Sequence, residues 1–89
     1  MPIKQQELVE FIAKRLVDRP EQVTINVVEG ENTNIIELQV ADEDYGKIIG
    51  RKGRIVNAIR ILLSVCSREE RKRWMLDVPD KKNRDRQDS

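Results

Sequence analysis

The sequence predicts an α+β fold in which three helices cover one face of a three-stranded mixed sheet, in the order α-β-β-α-α-β. Three observations lead to this prediction. Apolar residues recur at helical spacing near the start of the chain and again after position 53, and a turn bracketed by Gly50 and Gly53 separates two helical segments. Strand-like runs occupy three short segments: 23–28, 35–40 and 73–78. We therefore expect residues 1–79 to form a single domain.

The composition argues against several classes of protein. The chain has 89 residues, 38% of them hydrophobic, with one cysteine, Cys66, and no histidine. An internal disulfide and histidine-based catalysis are excluded, a zinc site is disfavoured, and we expect no cofactor, small-molecule substrate or enzymatic activity. No apolar run approaches the roughly 20 residues that span a membrane, and the N-terminus lacks a signal-peptide pattern, so we expect a cytoplasmic protein.

The charges are distributed unevenly, although the net charge is only +1. Residues 1–45 carry 4 basic and 10 acidic side chains, residues 46–73 carry 9 and 2, and residues 74–89 carry 4 of each. A run of cations is commonly just the solvated face of a helix. Here the excess is nearly unopposed and flanks a glycine-bracketed turn, which favours an anionic polymer as the partner.

The first helix is predicted from Lys4 to Asp18, where apolar residues have the spacing of one helical face. The predicted buried stripe consists of Leu8, Phe11, Ile12 and Leu16. Pro20 disfavours the helical conformation at Arg19, so the helix is expected to end near that residue. Its expected role is to cover one face of the sheet.

Two strands follow, and because a short turn at 30–33 joins them, they are expected to pair antiparallel. The residues expected to face the core are Val23, Ile25, Val27, Ile36, Leu38 and Val40. Val28 and Ile35 fall on the opposite face near the turn. They either cover each other as a cross-strand pair or are ordinary exposed hydrophobic residues.

A short helix from Asp44 to Ile49 is expected next, and Gly50 is expected to end it. Asp42, Glu43 and Asp44 lie at its start, and their carboxylates are predicted to cap its N-terminus. A loosely bound metal is the alternative for these acids, but a helix cap explains them better.

A longer helix is predicted after Gly53 and runs to about Ser67, with more apolar residues than one face needs. The predicted core stripe is Val56, Ile59, Leu63 and Cys66, with Ile55 and Leu62 beside it. Ile61 and Val65 project to a different side. They indicate either a partner surface, for instance for a second copy of the chain, or a helix buried on two sides.

The last strand is predicted at 73–78. Trp74 is expected to face the core together with Leu76 and Val78, so it is interpreted as a core residue rather than a platform for base stacking. Residues 80–89 contain no apolar side chain and are expected to form a disordered tail.

The segment around the glycine turn resembles a known family. Ile48-Ile49-Gly50-Arg51-Lys52-Gly53, followed by Val56 and Ile59, is similar to the (I/V)-I-G-x-x-G-x-x-(I/V)-x-x-I signature of KH domains. The order of elements is similar to the type II arrangement. A chain that contains little else resembles the small bacterial KH-domain RNA-binding proteins of the KhpA family, and the resemblance covers about residues 3–79.

The resemblance implies that a G-x-x-G loop grips about four nucleotides of single-stranded RNA. The implied RNA-binding residues are Lys47, Ile48, Ile49, Gly50, Arg51, Lys52, Gly53, Arg54 and Val56. The cations are expected to contact or flank the phosphates, and the aliphatic residues to line or support a groove whose other wall is the strand near Leu38–Val40. Also implied are self-association, pairing with a larger KH-domain protein, post-transcriptional control, and a link to cell elongation and division.

Three alternatives belong to other classes. A KH fold can act as an adaptor for another protein, in which case reversing the charges of Arg51 and Lys52 leaves its activity intact. An enzyme is disfavoured because the glycine pattern matches neither the P-loop nor the dinucleotide-binding fingerprint. Binding to a membrane surface is disfavoured because the basic segment lacks an aromatic apolar face.

Overall fold

A computed structural model describes residues 4–79, and this range contains three α-helices and three β-strands. The helices are α1 (Gln5–Leu16), α2 (Tyr45–Ile49) and α3 (Arg54–Cys66), and the strands are β1 (Thr24–Glu29), β2 (Thr33–Gln39) and β3 (Arg73–Asp77). Single 3₁₀ turns lie at Pro20–Gln22, Asp42–Asp44 and Arg51–Gly53. None of the helices in this range is long and apolar enough to cross a bilayer. The predicted order of elements is confirmed, whereas the predicted tail at 80–89 lies outside the described residues.

The three strands form one sheet in the order β1-β2-β3. β1 pairs antiparallel with β2, and Gly30 closes the turn between them by donating its N–H to the carbonyl of Thr33 at 2.8 Å. β3 pairs parallel with β2, because the chain returns to the sheet through a helical crossover. The sheet is therefore mixed, as predicted.

The core lies between the helices and one face of the sheet. Its buried members are Val9, Ala13, Val17, Val23, Ile36, Leu38, Ile48, Val56, Ile59, Leu63, Leu76 and Val78. Every strand residue that is predicted to face inward belongs to this cluster or packs against it, and Trp74 is among the latter. Burial of a large aliphatic side chain contributes about 1.5–3 kcal/mol, so this layer is the main stabilising feature of the fold.

The predicted buried face of α1 is only partly right, because Ile12 packs against the core whereas Leu16 is 37% exposed. Val9 and Ala13 are fully buried, whereas Phe11 is 66% exposed. The helix is turned by one residue, or about 100°, relative to the prediction. This rotation buries Gln5, whose Nε2 donates to Ser67 Oγ at 3.1 Å, and it places the small side chain of Ala13 in the core.

The predicted core stripe of α3 is only partly right. Its buried members are Val56, Ile59 and Leu63. Cys66 is exposed, and Leu62 is 47% exposed. The reason lies at the end of the helix, where Ser67 rather than Cys66 is buried and accepts the hydrogen bond from Gln5.

Val28 and Ile35 lie directly opposite each other in the register of β1 and β2, and Ile35 lies opposite Met75 of β3. The cross-strand pair is therefore present on the sheet face that the helices do not cover. Val28 remains 45% exposed and Met75 48% exposed. These side chains shield one another without forming a second core.

Asp44 is fully buried and anchors the segment between α1 and β1. Its carboxylate accepts the backbone N–H groups of Asp18 and Arg19, at 3.2 and 3.0 Å, and the ammonium group of Lys47 at 3.1 Å. The predicted cap is wrong, because no side-chain hydrogen bond caps the N-terminus of α2. The carboxylate of Asp44, although it lies next to the start of α2, instead accepts hydrogen bonds from the loop that follows α1.

The same hydrogen bonds control the ionisation of Asp44. Burial is the largest influence and raises its pKa, but the hydrogen bonds from Lys47 and from the amides of Asp18 and Arg19 outweigh it, so the pKa lies below its ordinary value. The segment after α1 is thus held by the ionised carboxylate of Asp44. α1 ends at Leu16, before the predicted end at Asp18.

We expect Asp44→Asn to destabilise the fold at neutral pH and to flatten the dependence of stability on acid pH. Because the folded-state pKa of Asp44 is lowered, its contribution is present above the unfolded-state pKa, about 3.9, and disappears as the pH falls through the folded-state pKa. Urea unfolding of both proteins from about pH 7 to about pH 2 measures this difference.

Asp42→Asn is the matched control for Asp44→Asn, because it removes the same charge from an exposed side chain in the same turn. Equal destabilisation by the two substitutions, or an unchanged acid dependence in Asp44→Asn, would contradict the anchoring role of Asp44.

Candidate nucleic-acid interface

The turn between α2 and α3 contains three residues with positive φ. Gly50 (φ 77°, ψ 172°) ends α2, and its N–H donates to the carbonyl of Gly46 at 2.8 Å. Lys52 (φ 57°, ψ 24°) and Gly53 (φ 77°, ψ 16°) then adopt the left-handed helical conformation. The N–H of Gly53 donates to the carbonyl of Gly50 at 3.1 Å. The chain therefore reverses through an ordered 3₁₀ turn.

Gly50 and Gly53 are required for different reasons. A Cβ on Gly50 would lie 2.6 Å from Cγ1 of Ile55, so the side chain of Ile55 occupies the space that another residue would need. A Cβ on Gly53 would lie 3.7 Å from Nδ2 of Asn57, an ordinary contact, so Gly53 is required only by its positive φ. The sequence predicts that Gly50 ends α2, but the contact with Ile55 that leaves no room for a side chain at position 50 is visible only in the structure.

Three cations surround the turn without an internal ion-pair partner. Arg51, Lys52 and Arg54 are exposed, and no carboxylate in residues 4–79 lies within salt-bridge distance of them. The left-handed backbone of Lys52 costs about 1–2 kcal/mol, so the turn tolerates strain at a cationic position between Arg51 and Gly53. The charges of all three side chains are available to a bound anion.

Lys47 differs from these cations because two carboxylates hold it. Its Nζ lies 2.8 Å from Oδ2 of Asp18 and 3.1 Å from Oδ1 of Asp44. The hydrogen bond to Asp18, followed by that to Asp44, raises the pKa of Lys47 above its ordinary value. The side chain is 42% exposed, so it can meet a phosphate only in competition with these acids.

The predicted aliphatic residues divide into buried and surface members. Ile48 is fully buried and Val56 is 5% exposed, so both support the turn from within the core. Ile49 is partly buried at the edge of the core. Of these three residues, Ile49 is therefore the one with apolar surface that a ligand can touch.

The second wall of the groove, near Leu38–Val40, stays a prediction; Leu38 itself is fully buried, and β2 is the central strand. The edge strand β3 lies beside α3, and Arg60 Nη2 donates to the carbonyl of Leu76 at 3.3 Å. Arg60 Nη1 also donates to Oδ1 of Asn57 at 3.3 Å. Asn57 and Arg60 were not among the predicted site residues. Asn57 lies three and Arg60 six residues after Arg54, and this three-residue spacing of polar side chains on a helix is the sequence signal that could have pointed to them.

The fold and the turn together define the class of protein. A three-stranded mixed sheet in the order α-β-β-α-α-β, with a G-x-x-G turn between its last two helices, is the type II KH fold. A family model described as the KH domain of KhpA/KhpB matches residues 6–78. The chain belongs to this family, which confirms the resemblance seen around the glycine turn.

Individual relatives agree with the family assignment. The chain is 51% identical over 74 residues to the RNA-binding protein KhpA of Borreliella burgdorferi, which covers 83% of this chain and 90% of the relative. It is 44% identical over 80 residues to the RNA-binding protein KhpA of Treponema pallidum, covering 90% and 100%. The protein of the same name from Chlamydia muridarum is 56% identical over 64 residues, covering 71% and 82%. No solved structure matches the chain significantly.

Alanine substitutions at three glycines are expected to have graded effects. Gly50→Ala combines a positive φ with the clash against Ile55 and should destabilise by about 2–4 kcal/mol. Gly53→Ala carries only the backbone penalty, about 1 kcal/mol. Gly46 has nothing within 4 Å of a Cβ, so Gly46→Ala should be neutral or stabilise the helix by up to about 1 kcal/mol. Urea denaturation gives the three free energies of unfolding.

The double variant Gly50→Ala with Ile55→Ala is the control, because it removes the side chain that meets the new Cβ. Its destabilisation should be smaller than the sum of the two single effects. Additive effects, or equal costs at Gly50 and Gly53, would mean that Ile55 does not impose glycine at position 50.

Proposed function

We propose that the chain binds short single-stranded RNA through the turn between α2 and α3. The observation that carries this proposal is the group of exposed cations, Arg51, Lys52 and Arg54, none of which has a carboxylate partner within residues 4–79. The name of the relatives, RNA-binding protein KhpA, supports the same class of ligand. Phosphate oxygens are the groups on RNA that suit such cations.

In the proposed binding mode, each residue of the turn and its surroundings has a separate role. KH domains grip about four nucleotides, with the G-x-x-G turn against the backbone of the strand. Arg51 and Lys52 contact phosphates, and Arg54 flanks the path on α3. Lys47 flanks it on α2, where binding must compete with its two carboxylate partners. Gly50 and Gly53 shape the backbone, and Ile49, supported by Ile48 and Val56, supplies the apolar surface.

Base selectivity is expected to be low. The chain contains one Trp, one Tyr and one Phe, too few aromatic side chains for an RRM-like stacking surface. Discrimination among bases then depends on shape, aliphatic contacts and hydrogen bonds to base edges. Affinity should fall steeply with salt concentration, because each phosphate contact releases counterions.

The double charge reversal Arg51→Asp with Lys52→Asp is expected to weaken binding of short single-stranded RNA by about tenfold or more at low salt. Loss of two phosphate contacts should also lower the slope of log affinity against log salt by about 1.4. Asp is tolerated in the left-handed conformation of position 52, so the variant should fold. Fluorescence anisotropy with RNA, matched single-stranded DNA and duplex DNA at several salt concentrations measures both effects.

Lys14→Glu with Arg15→Glu is the control, because it changes the net charge equally on exposed positions of α1 and should bind RNA like the wild type. The proposal is overturned if the wild type binds no single strand, or if the loop variant binds as well as the wild type. In either case, the alternative of a KH fold that acts as a protein-protein adaptor is preferred.

We further propose that the exposed apolar side of α3 binds a partner. Ile61 is 64% exposed and Val65 is 55% exposed, and both project away from the core-facing side of the helix. Exposed aliphatic side chains on one side of a helix support self-association or pairing with a larger KH-domain protein. The family resemblance adds post-transcriptional regulation, linked to cell elongation and division, as the process served.

Ile61→Asp is expected to give a folded monomer, because association would bury an unpaired carboxylate. Light scattering reports the mass, and circular dichroism confirms the fold. Phe11→Asp is the matched control, since Phe11 is exposed to a similar extent, 66%, on a different helix, and the variant should keep the oligomeric state of the wild type. An unchanged oligomer in Ile61→Asp would rule out this surface.

A further inference from the structure

A second concave surface lies at the end of α3 that is remote from the glycine turn. The segment that joins α3 to β3 forms a depression of about 480 Å³. Its lining includes Arg68, Arg71, Lys72, Arg73, Glu70 and Trp74. Because an α-helix rises about 1.5 Å per residue, α3 separates this depression from the glycine turn by about 20 Å. The two surfaces are therefore distinct.

The depression is strongly positive. Four of its lining side chains are cations and one is a carboxylate, Glu70. Within the described part of the chain, no carboxylate lies within salt-bridge distance of Arg68, Arg71, Lys72 or Arg73. Like charges held close together repel one another, and the described residues provide no ion pair that offsets this repulsion.

Glu70 forms no ion pair with these cations, and each of its oxygens accepts a hydrogen bond from another side chain. Its Oε1 accepts the Nε1–H of Trp74 at 3.0 Å, and its Oε2 accepts the side-chain amide of Gln5. The hydrogen bond from Trp74, followed by that from Gln5, holds the pKa of Glu70 below its ordinary value. Glu70 therefore fixes the indole in the wall and ties the segment to α1.

Trp74 gives the depression an aromatic surface. The indole is partly buried, packs against the core and also lines the depression. Trp74 thus does more than the core packing that the sequence predicts, because cations without ion pairs beside an aromatic side chain form a combination by which proteins hold single-stranded nucleic acid. Exposed Asn57, Arg60 and Ser64 follow one side of α3 at helical spacing and provide a polar path from the glycine turn.

We infer that this depression is a second binding site for the RNA strand, which takes the phosphates of nucleotides beyond the about four held at the glycine turn. The inference rests on the proposed RNA binding and extends its footprint along α3. An RNA that is long enough to reach both surfaces should therefore bind more tightly, and with a steeper salt dependence, than a tetranucleotide.

The test compares a tetranucleotide with an RNA about three times as long, each with the wild type and with Arg68→Glu, Arg71→Glu. The variant should bind the long RNA about tenfold more weakly, with a salt slope reduced by about 1.4, and should bind the tetranucleotide within about twofold of the wild type. Arg68→Gln, Arg71→Gln removes the charges without reversing them and should give a smaller loss in the same direction.

The controls separate this inference from the proposed function. Lys14→Glu with Arg15→Glu matches the change in net charge and should bind both RNAs like the wild type, and thermal unfolding checks that each variant is folded. If neither RNA weakens in the Arg68 and Arg71 variants, the second site is refuted while binding at the turn stands. If both RNAs weaken equally, the second site is refuted because the loss does not depend on RNA length. If the wild type binds neither RNA, the proposed function fails and the inference fails with it.

Tryptophan fluorescence gives a direct readout of the depression, because Trp74 is the only tryptophan in the chain. The long RNA should change the emission of Trp74, and the tetranucleotide should not. The change should disappear in Arg68→Glu, Arg71→Glu. An unchanged emission when the long RNA is bound, or an equal change with the tetranucleotide, would refute the second site.

Discussion

The contact between Ile55 and the backbone of Gly50 is the constraint on which the rest of the structure depends. Ile55 occupies the place of a Cβ at Gly50, and the positive φ of Gly50 stops α2 and redirects the chain. α3 can then run back over the sheet and deliver β3 to a parallel position beside β2. The mixed sheet and the placement of the loop cations both follow from this reversal.

The folded chain divides its basic segment into cations that are used internally and cations that are not. Lys47 is held by Asp18 and Asp44, and Arg60 donates to a backbone carbonyl of β3. The cations of the glycine turn and of the segment after α3 have no ion-pair partner among residues 4–79. Whether a cation is available to a ligand therefore depends on which carboxylates lie within ion-pair distance of it in the folded chain. The number of positive charges in the sequence does not give this information.

α3 connects the three surfaces that carry the proposals. The glycine turn precedes it, the depression beside Trp74 follows it, and Ile61 and Val65 lie on its exposed side between the two. Since one helix of 13 residues sets these distances, the surfaces keep a fixed spacing.

Local sequence patterns were enough to predict the order of elements, the inward faces of the strands and the glycine turn, because each of these features depends on residues close together in the chain. The errors at Phe11 and Cys66 and the missed role of Asp44 have a different origin. Gln5 bonds to Ser67 across 62 positions, and Asp44 bonds to the amide of Asp18 across 26. The sequence by itself thus determined the type II KH fold and the position of its signature turn. Only the tertiary structure decided which helix faces are buried and which cations remain available, because those outcomes depend on side chains that meet only after the chain has folded.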